Sequence, residues 1–397
     1  MRREKEQRAL FQLIKSVLLE EPITIEVEGL DWKYLQQLCK YQKIDNLVSY
    51  GILPLQEQEK IPADVVCAMQ KAQQKGIARE ATQYFSLQEI QQKFEEEQIE
   101  HLPLKGAQLK KEYPSPDMRF LTDLDILCQK EQQGKIQEIM ESLGYTLEHG
   151  GGHHDVYVRN PFMTVEIHWD CSTENRELDV LLEDIWSKCI RKEGFAFAYQ
   201  MPWEEYYVYM IGHMAKHLKY GGIGIRMLLD LFVFAQKKKD SCDWKKVEAY
   251  LERGRLLKFS ETMQRFLQQC MEEDESFFEG NILLEHIIGS GAYGTMENHM
   301  GARLLKEGGE KKQIRRTRIR LVLTMLFPPL EAMKELSPAV RRHAFLLPAA
   351  WIWRLVTKTI FANRKGREAL KSAAVTEQVD QMDRVCRAAG LYEYKHL

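Results

Sequence analysis

The chain has 397 residues, 44% of them hydrophobic and 29% charged, with 12 prolines and 24 glycines; at roughly 150 residues per domain this suits two or three packed units and excludes collagen-like, mucin-like and wholly disordered chains. A net charge of −2 gives no global reason to bind nucleic acid or an anionic membrane. The eight cysteines are dispersed without a C-x-x-C pair, which speaks against a zinc ribbon or a disulfide framework and fits reduced thiols in a cytoplasmic protein.

Residues 1–96 read as a helical N-terminal region. The opening MRREKEQRALFQLIKSVLLEEP is basic at its start but places Leu10, Phe11, Ile14, Val17 and Leu18 on one helical stripe, and no small-residue cleavage site follows, so it predicts an amphipathic helix rather than a signal peptide. Trp32, Leu35, Leu38 and Cys39 repeat the spacing. From Ala63 to Glu97 the sparse apolar positions Val66, Met69, Ile77, Tyr84, Phe85, Ile90 and Phe94 predict a long surface helix.

Over residues 97–200 the period changes and predicts a small α+β module. Ile99 to Leu104 and Leu121 to Cys128 read as strands, as do His154 to Arg159 and Thr164 to Asp170, which flank Asn160-Pro161 in a hairpin turn. Gly106 to Tyr113 and Glu131 to Leu143 are helical, the second ending at Gly144 as a C-cap glycine should. Residues 201–300 return to helical periodicity, broken at Gly221-Gly222-Ile223-Gly224. Residues 301–397 form a basic helical C-terminal region: from Gly301 to Lys371 there are 17 Lys and Arg against five Glu and no Asp. The most apolar stretches here, Leu321 to Leu330 and Ala344 to Val356, contain prolines and fall short of the ~20 residues a spanning helix needs, so no transmembrane segment is expected.

The chemistry concentrates in Thr122-Asp123-Leu124-Asp125-Ile126-Leu127. On a strand, the two-residue period places Asp123 and Asp125 on one face and Leu124 and Ile126 in the core. Thr164 to Asp170 repeats the pattern, with Val165, Ile167 and Trp169 on one face and Glu166, His168 and Asp170 on the other. Like charges about 4 Å apart repel by up to ~4 kcal/mol at an effective dielectric near 20, so converging carboxylates call for a cation between them. Oxygen ligands favour Mg²⁺, with Mn²⁺ as the alternative, and such ions bridging phosphate oxygens perform in-line phosphoryl or nucleotidyl transfer.

Other residues carry two readings each. Lys105-Gly106 is either a phosphate-binding turn or a plain strand-to-helix turn with an exposed lysine. Arg119 either neutralises phosphate or pairs with Asp117 or Asp123. His153 and His154 open a hairpin after three glycines, as an exposed turn or a nucleotide contact. His213 and His217 share a helix face, but residue 214 is Met, so the zinc-protease motif is absent and the pair either lines the cleft or packs. Arg226 and Asp230 stand four apart, as an intrahelical ion pair or as cleft residues. The basic C-terminal region is a solvated helix face or a surface, with Trp351, Trp353 and Phe361, for a polyanion such as RNA or for a membrane.

Taken together, Leu104-Lys105-Gly106, Tyr113-Pro114, Arg119, Asp123-Leu124-Asp125-Ile126-Leu127, His153-His154 and Val165-Glu166-Ile167-His168-Trp169 resemble the uncharacterised nucleotidyltransferase family of the DNA polymerase β-like superfamily, over about residues 10 to 270. The resemblance implies an α+β fold, with a small mixed-sheet polymerase β-like nucleotidyltransferase core embedded in mostly helical N- and C-terminal regions. It further implies that Asp123, Asp125 and Glu166 hold Mg²⁺ and that Lys105, Gly106, Arg119, His154, His168, His213, His217, Arg226 and Asp230 surround the nucleotide. The superfamily usually has Gly-Ser where Lys105-Gly106 stands, so phosphate handling is expected to differ. The expected activity is nucleotidyl transfer from an NTP, ATP being the expected donor, to a hydroxyl or phosphate of RNA, protein or a small molecule. The alternatives are a catalytically inactive nucleotide- or protein-binding adaptor and a metal-dependent phosphoester hydrolase.

Overall fold

The alternating segments of residues 97–200 form one five-stranded sheet, here described from a computed structural model. Its strands are β1 (His101–Pro103), β2 (Leu124–Cys128), β3 (Thr146–His149), β4 (His154–Arg159) and β5 (Met163–His168), in the spatial order β1-β2-β5-β4-β3. β2 and β5 run parallel and every other pair is antiparallel, so the sheet is mixed. The structure describes residues 3–55, 61–161, 163–272, 275–295, 298–299, 327–355 and 377–391.

One face of the sheet is the core of the module. Leu124, Ile126 and Cys128 of β2 and Val165 and Ile167 of β5 pack with Tyr157 and Met163 against Leu87, Ile90 and Phe94 of helix α4 (Ala63–Glu96) and Ile136, Ile139 and Met140 of helix α6 (Gln133–Ser142). Each fully buried side chain of this size contributes about 1.5–3 kcal/mol, enough together to settle which face of each strand points inward. Gly144, at φ 79, ends α6 as expected. On the long α4, Val65 and Met69 are buried near its start, whereas Ile77, Tyr84 and Phe85, three of its sparse apolar positions, are exposed, as on a surface helix.

Helices α1 (Glu4–Leu19) and α2 (Trp32–Tyr41) precede α4 as expected, with a further helix α3 (Asp45–Ile52) between them and α4, and Leu10, Phe11, Ile14, Val17 and Leu18 are all buried on α1. The short α5 (Gly106–Leu109) follows β1; α7 (Arg176–Glu183) and α8 (Ile185–Lys188) follow β5; and α9 (Trp203–Tyr220) and α10 (Ile225–Lys238) come next in the chain. The described residues of 1–216, 224–292 and 389–397 form one unit, which holds the segments expected as N-terminal region and core and most of the segment expected to complete the cleft; its residues 217–223 and those after 292 fall outside the unit.

The second unit comprises the described residues of 217–223 and 293–388 and is helical, with helices at Leu330–Leu336, Pro338–Arg342, Leu347–Leu355 and Glu377–Ala388. In it Trp351 Nε1 donates to the Pro328 carbonyl at 2.8 Å, whereas Trp353 is exposed. The basic run from Lys311 to Arg320 and Phe361, read either as a solvated helix face or as part of a docking surface, lie outside the described residues. Among the described residues no helix is long and apolar enough to cross a membrane.

Candidate active site

The register of β2 on β5 sets Asp125 opposite Glu166 and Leu127 opposite His168. Because Leu124, Ile126, Val165 and Ile167 are committed to the core, the alternation sends Asp125, Glu166 and His168 to the opposite face, which on β2 is buried as well. There Asp125 Oδ1 accepts a hydrogen bond from Lys105 Nζ at 2.6 Å, and His168 Nε2 lies 2.7 Å from the same oxygen and 3.3 Å from Glu166 Oε2. One ligand atom each of Asp125, Glu166 and His168 lies within 4.8 Å of the others, the one such group of three or more His, Cys, Asp or Glu among the described residues. His154, at the head of β4, stacks on His168 with ring centroids 5.2 Å apart.

The electrostatics of this patch follow from burial and crowding. Burial works to raise the pKa of Asp125, but the Lys105 charge and the hydrogen bond from His168 hold it well below the usual carboxylate range. Burial opposes charge on Lys105, and Asp125, with Glu166 and Asp123 behind it, nonetheless raises its pKa. For His168, burial is outweighed by hydrogen bonds to Asp125 and Glu166, and its pKa also rises. Asp123 goes the other way: burial, then the charges of Asp125 and Glu166, push it up to about 6, with Lys105 and Arg226 pulling it back in part.

This differs from the expected ligand trio in one member. Asp123, Asp125 and Glu166 were the expected metal ligands, and the close group instead joins Asp125 and Glu166 to His168. The reason is positional: the paired register begins at Leu124, so Asp123 stands just outside β2, while His168 sits one strand period beyond Glu166 inside β5. Asp123 remains part of the same electrostatic cluster.

A pH dependence follows. Between the ordinary 3.8 and about 6, the folded chain holds a proton on Asp123 that the unfolded chain has lost, so this group costs stability as pH rises through that window. In EDTA, Asp123→Asn is therefore expected to gain stability over the wild-type protein between pH 4.5 and pH 7. Urea denaturation midpoints of the two proteins across that range check it; parallel curves would show that Asp123 does not carry the shifted proton.

Lys105 has φ 49 and ψ −129, a left-handed conformation rarely adopted by residues with a side chain, and its carbonyl accepts a 2.8 Å hydrogen bond from Tyr206 of α9. The next residue, Gly106, is buried, and a Cβ there would collide with Leu121 Cδ2 and come within 3.0 Å of Arg119 Cζ. Close packing is thus what the structure shows for Gly106. Gln108 of α5 ties this turn to the start of α9 through hydrogen bonds in both directions with the Met201 backbone.

Arg119 and Asp230 have partners the sequence reading did not offer. Asp230 is bound not to Arg226 but to Arg119, whose Nε and Nη2 reach its two oxygens at 2.6 and 2.5 Å, while Tyr113 donates to Oδ1 at 2.7 Å. The remaining guanidinium nitrogen of Arg119 donates to the Phe120 carbonyl at 2.6 Å. Both residues are buried, so each of the three guanidinium nitrogens of Arg119 is engaged inside the fold. Nor does Arg119 pair with Asp117, which accepts from Tyr50 and Ser115. Arg226 donates to the same Phe120 carbonyl at 3.3 Å and acts electrostatically on Asp123. His213 lies 6.1 Å from the Tyr209 ring and His217 is exposed near the end of α9; neither belongs to the candidate metal group. His153 Nδ1 is 2.7 Å from Asp170 Oδ2 in an exposed pair.

No curated protein matches the chain. The solved structure of the antibiotic-resistance factor ANT(2'')-Ia is similar over 48% of this chain and 99% of its own, at 12% identity and a TM-score of 0.34, a likeness too distant to carry an argument. The family model described as uncharacterised nucleotidyltransferase matches residues 28–272, a span that contains the whole sheet and its carboxylates. The chain belongs to this family of uncharacterised nucleotidyltransferases.

Proposed function

We propose that the protein is a divalent-metal-dependent nucleotidyltransferase that takes an NTP, with ATP the expected donor, and passes the nucleoside monophosphate to a hydroxyl or phosphate acceptor with release of pyrophosphate. The observation that carries this reading is the pairing of Asp125 with Glu166 across two parallel strands, with His168 and Asp123 beside them, in a chain of this family. The donor set fits a hard cation: carboxylate oxygens suit Mg²⁺, and the imidazole of His168 makes Mn²⁺ equally acceptable. Burial and then the charges of Asp125 and Glu166 push Asp123 up to about 6, and a cation beside them would relieve the repulsion. Asp125 and Glu166, with His168 or Asp123, would hold the ion, which supplies charge neutralisation at the transferred phosphoryl group.

The remaining work is positional. Asp125 stays ionised, and Glu166, shared with His168, orients or deprotonates the acceptor. Lys105 and Arg226 bring positive charge toward the phosphates, and His154 braces the His168 ring. Nucleotidyl transfer needs little beyond such placement and charge neutralisation. An RNA acceptor would use the basic stretch between Gly301 and Lys371, and its binding would then weaken steeply with salt.

The test is incubation with each α-³²P-labelled NTP, Mg²⁺ or Mn²⁺, and RNA, protein or small-molecule fractions as acceptors. Label is expected on an acceptor, with stoichiometric pyrophosphate, and EDTA is expected to abolish it. Release of free monophosphate with no labelled acceptor would mean hydrolysis instead. One observation favours a second reading, a non-catalytic nucleotide-binding adaptor: Asp125 already has its charge balanced by Lys105 and His168. Nucleotide binding that persists in EDTA without any product would decide for the adaptor.

A further inference from the structure

One oxygen of the site is used twice. Asp125 Oδ1 has Lys105 Nζ at 2.6 Å and His168 Nε2 at 2.7 Å, and the carboxylate is only 6% exposed. An ammonium at that distance stands where a hard cation would approach the same oxygen, and two positive charges a few ångströms apart in a buried site repel strongly. The placement of the lysine is enforced. Its backbone is held at φ 49 and ψ −129, a strained conformation that persists only where neighbours over-determine it. Tyr206 on α9 supplies such a neighbour through its hydrogen bond to the Lys105 carbonyl. The side chain is nevertheless 23% exposed, and its stem is four flexible carbons, so the ammonium has a way out of the patch while the backbone stays clamped.

We propose that Lys105 is an internal stand-in for the divalent ion: lysine and metal compete for Asp125, and a nucleotide, by drawing the ammonium onto its phosphates, opens the position for the metal. This rests on the nucleotidyltransferase reading. Metal alone then binds weakly, metal and nucleotide bind cooperatively, and by linkage each raises the affinity of the other by the same factor. A site guarded in this way stays charge-balanced between turnovers and is assembled by the donor nucleotide. A lysine that only props up Asp125 would have the opposite signature, since its removal would loosen the carboxylate and weaken metal binding.

The measurement is Mn²⁺ binding followed by the electron paramagnetic resonance signal of the free ion, with and without α,β-methylene-ATP. It is made on the full chain and on Lys105→Met, Lys105→Gly and Asp125→Asn. Lys105→Gly suits the left-handed backbone, so it carries the test if the methionine variant does not fold. Both lysine variants are expected to bind Mn²⁺ alone about tenfold more tightly than the wild-type protein, and to lose about tenfold of the coupling between Mn²⁺ and nucleotide. Asp125→Asn should lose the site. Equal or weaker Mn²⁺ binding in the lysine variants overturns the proposal while leaving the metal-dependent reading intact, and tight binding in Asp125→Asn overturns it by placing the ion elsewhere. Failure of every protein, wild type included, to bind Mn²⁺ with or without nucleotide removes the metal-dependent reading itself and this proposal with it.

Discussion

Asp125→Asn is expected to keep the fold and to lower nucleotidyl transfer by about 10³-fold or more. The substitution preserves the shape of a buried side chain on β2, the strand between β1 and β5, and leaves Leu124 and Ile126 in the core, so the far-ultraviolet circular dichroism spectrum should be unchanged. What disappears is a full negative charge held ionised by Lys105 and His168. A metal ion neutralising a phosphoryl group is worth several kcal/mol, and each loss of about 1.4 kcal/mol is tenfold in rate. The assay is transfer of label under saturating Mn²⁺, with circular dichroism as the control for folding. Turnover at the wild-type level would remove Asp125 from the chemistry, and with it the central claim for the β2–β5 face.

The second large effect is on stability. Asp230→Ala is expected to cost about 3–5 kcal/mol, because it strands the Arg119 guanidinium, otherwise doubly bonded and buried, and also deprives Tyr113 of its acceptor. The informative companion is Arg119→Met with Asp230→Leu. Replacing a buried pair by apolar side chains of similar size removes the desolvation penalty together with the attraction, so the double variant should be markedly more stable than Asp230→Ala alone. Urea denaturation of the three proteins measures this. If Asp230→Ala proved as stable as the wild-type protein, the pair would not be a structural brace, and a role for Arg119 at the nucleotide would regain force.

The contrast between these sites explains what could be read in advance. The apolar positions flanking Asp125 and the alternation of Met163 to His168 were enough to place the strands and the shared acidic face, because a one-residue slip of β5 would carry Val165 and Ile167 out of the core. The choice of ligand was not legible. Whether Asp123 or His168 completes the group depends on where β2 begins pairing, which is a property of the parallel register with β5 and not of either segment alone.

The Arg119–Asp230 bond was hidden for a related reason: 111 residues separate the partners, and on the sequence Asp230 has a nearer candidate in Arg226 at helical spacing. Local spacing therefore suggested the wrong pair. Nothing in Leu104-Lys105-Gly106 announces that the lysine rather than the glycine carries the left-handed turn. β3 was missed because its residues are largely exposed, which leaves no apolar alternation to detect.

The strand order has one more implication. β2 and β5 are inner strands, each hydrogen-bonded along both edges, and they carry Asp125, Glu166 and His168. Lys105 and Asp123 sit in the connections just before α5 and β2. The protein thus divides its charged patch between strands locked into the ladder and two connections that lie outside it. Substitutions in those connections could retune the hold on a cation without disturbing the register that sets Asp125 against Glu166.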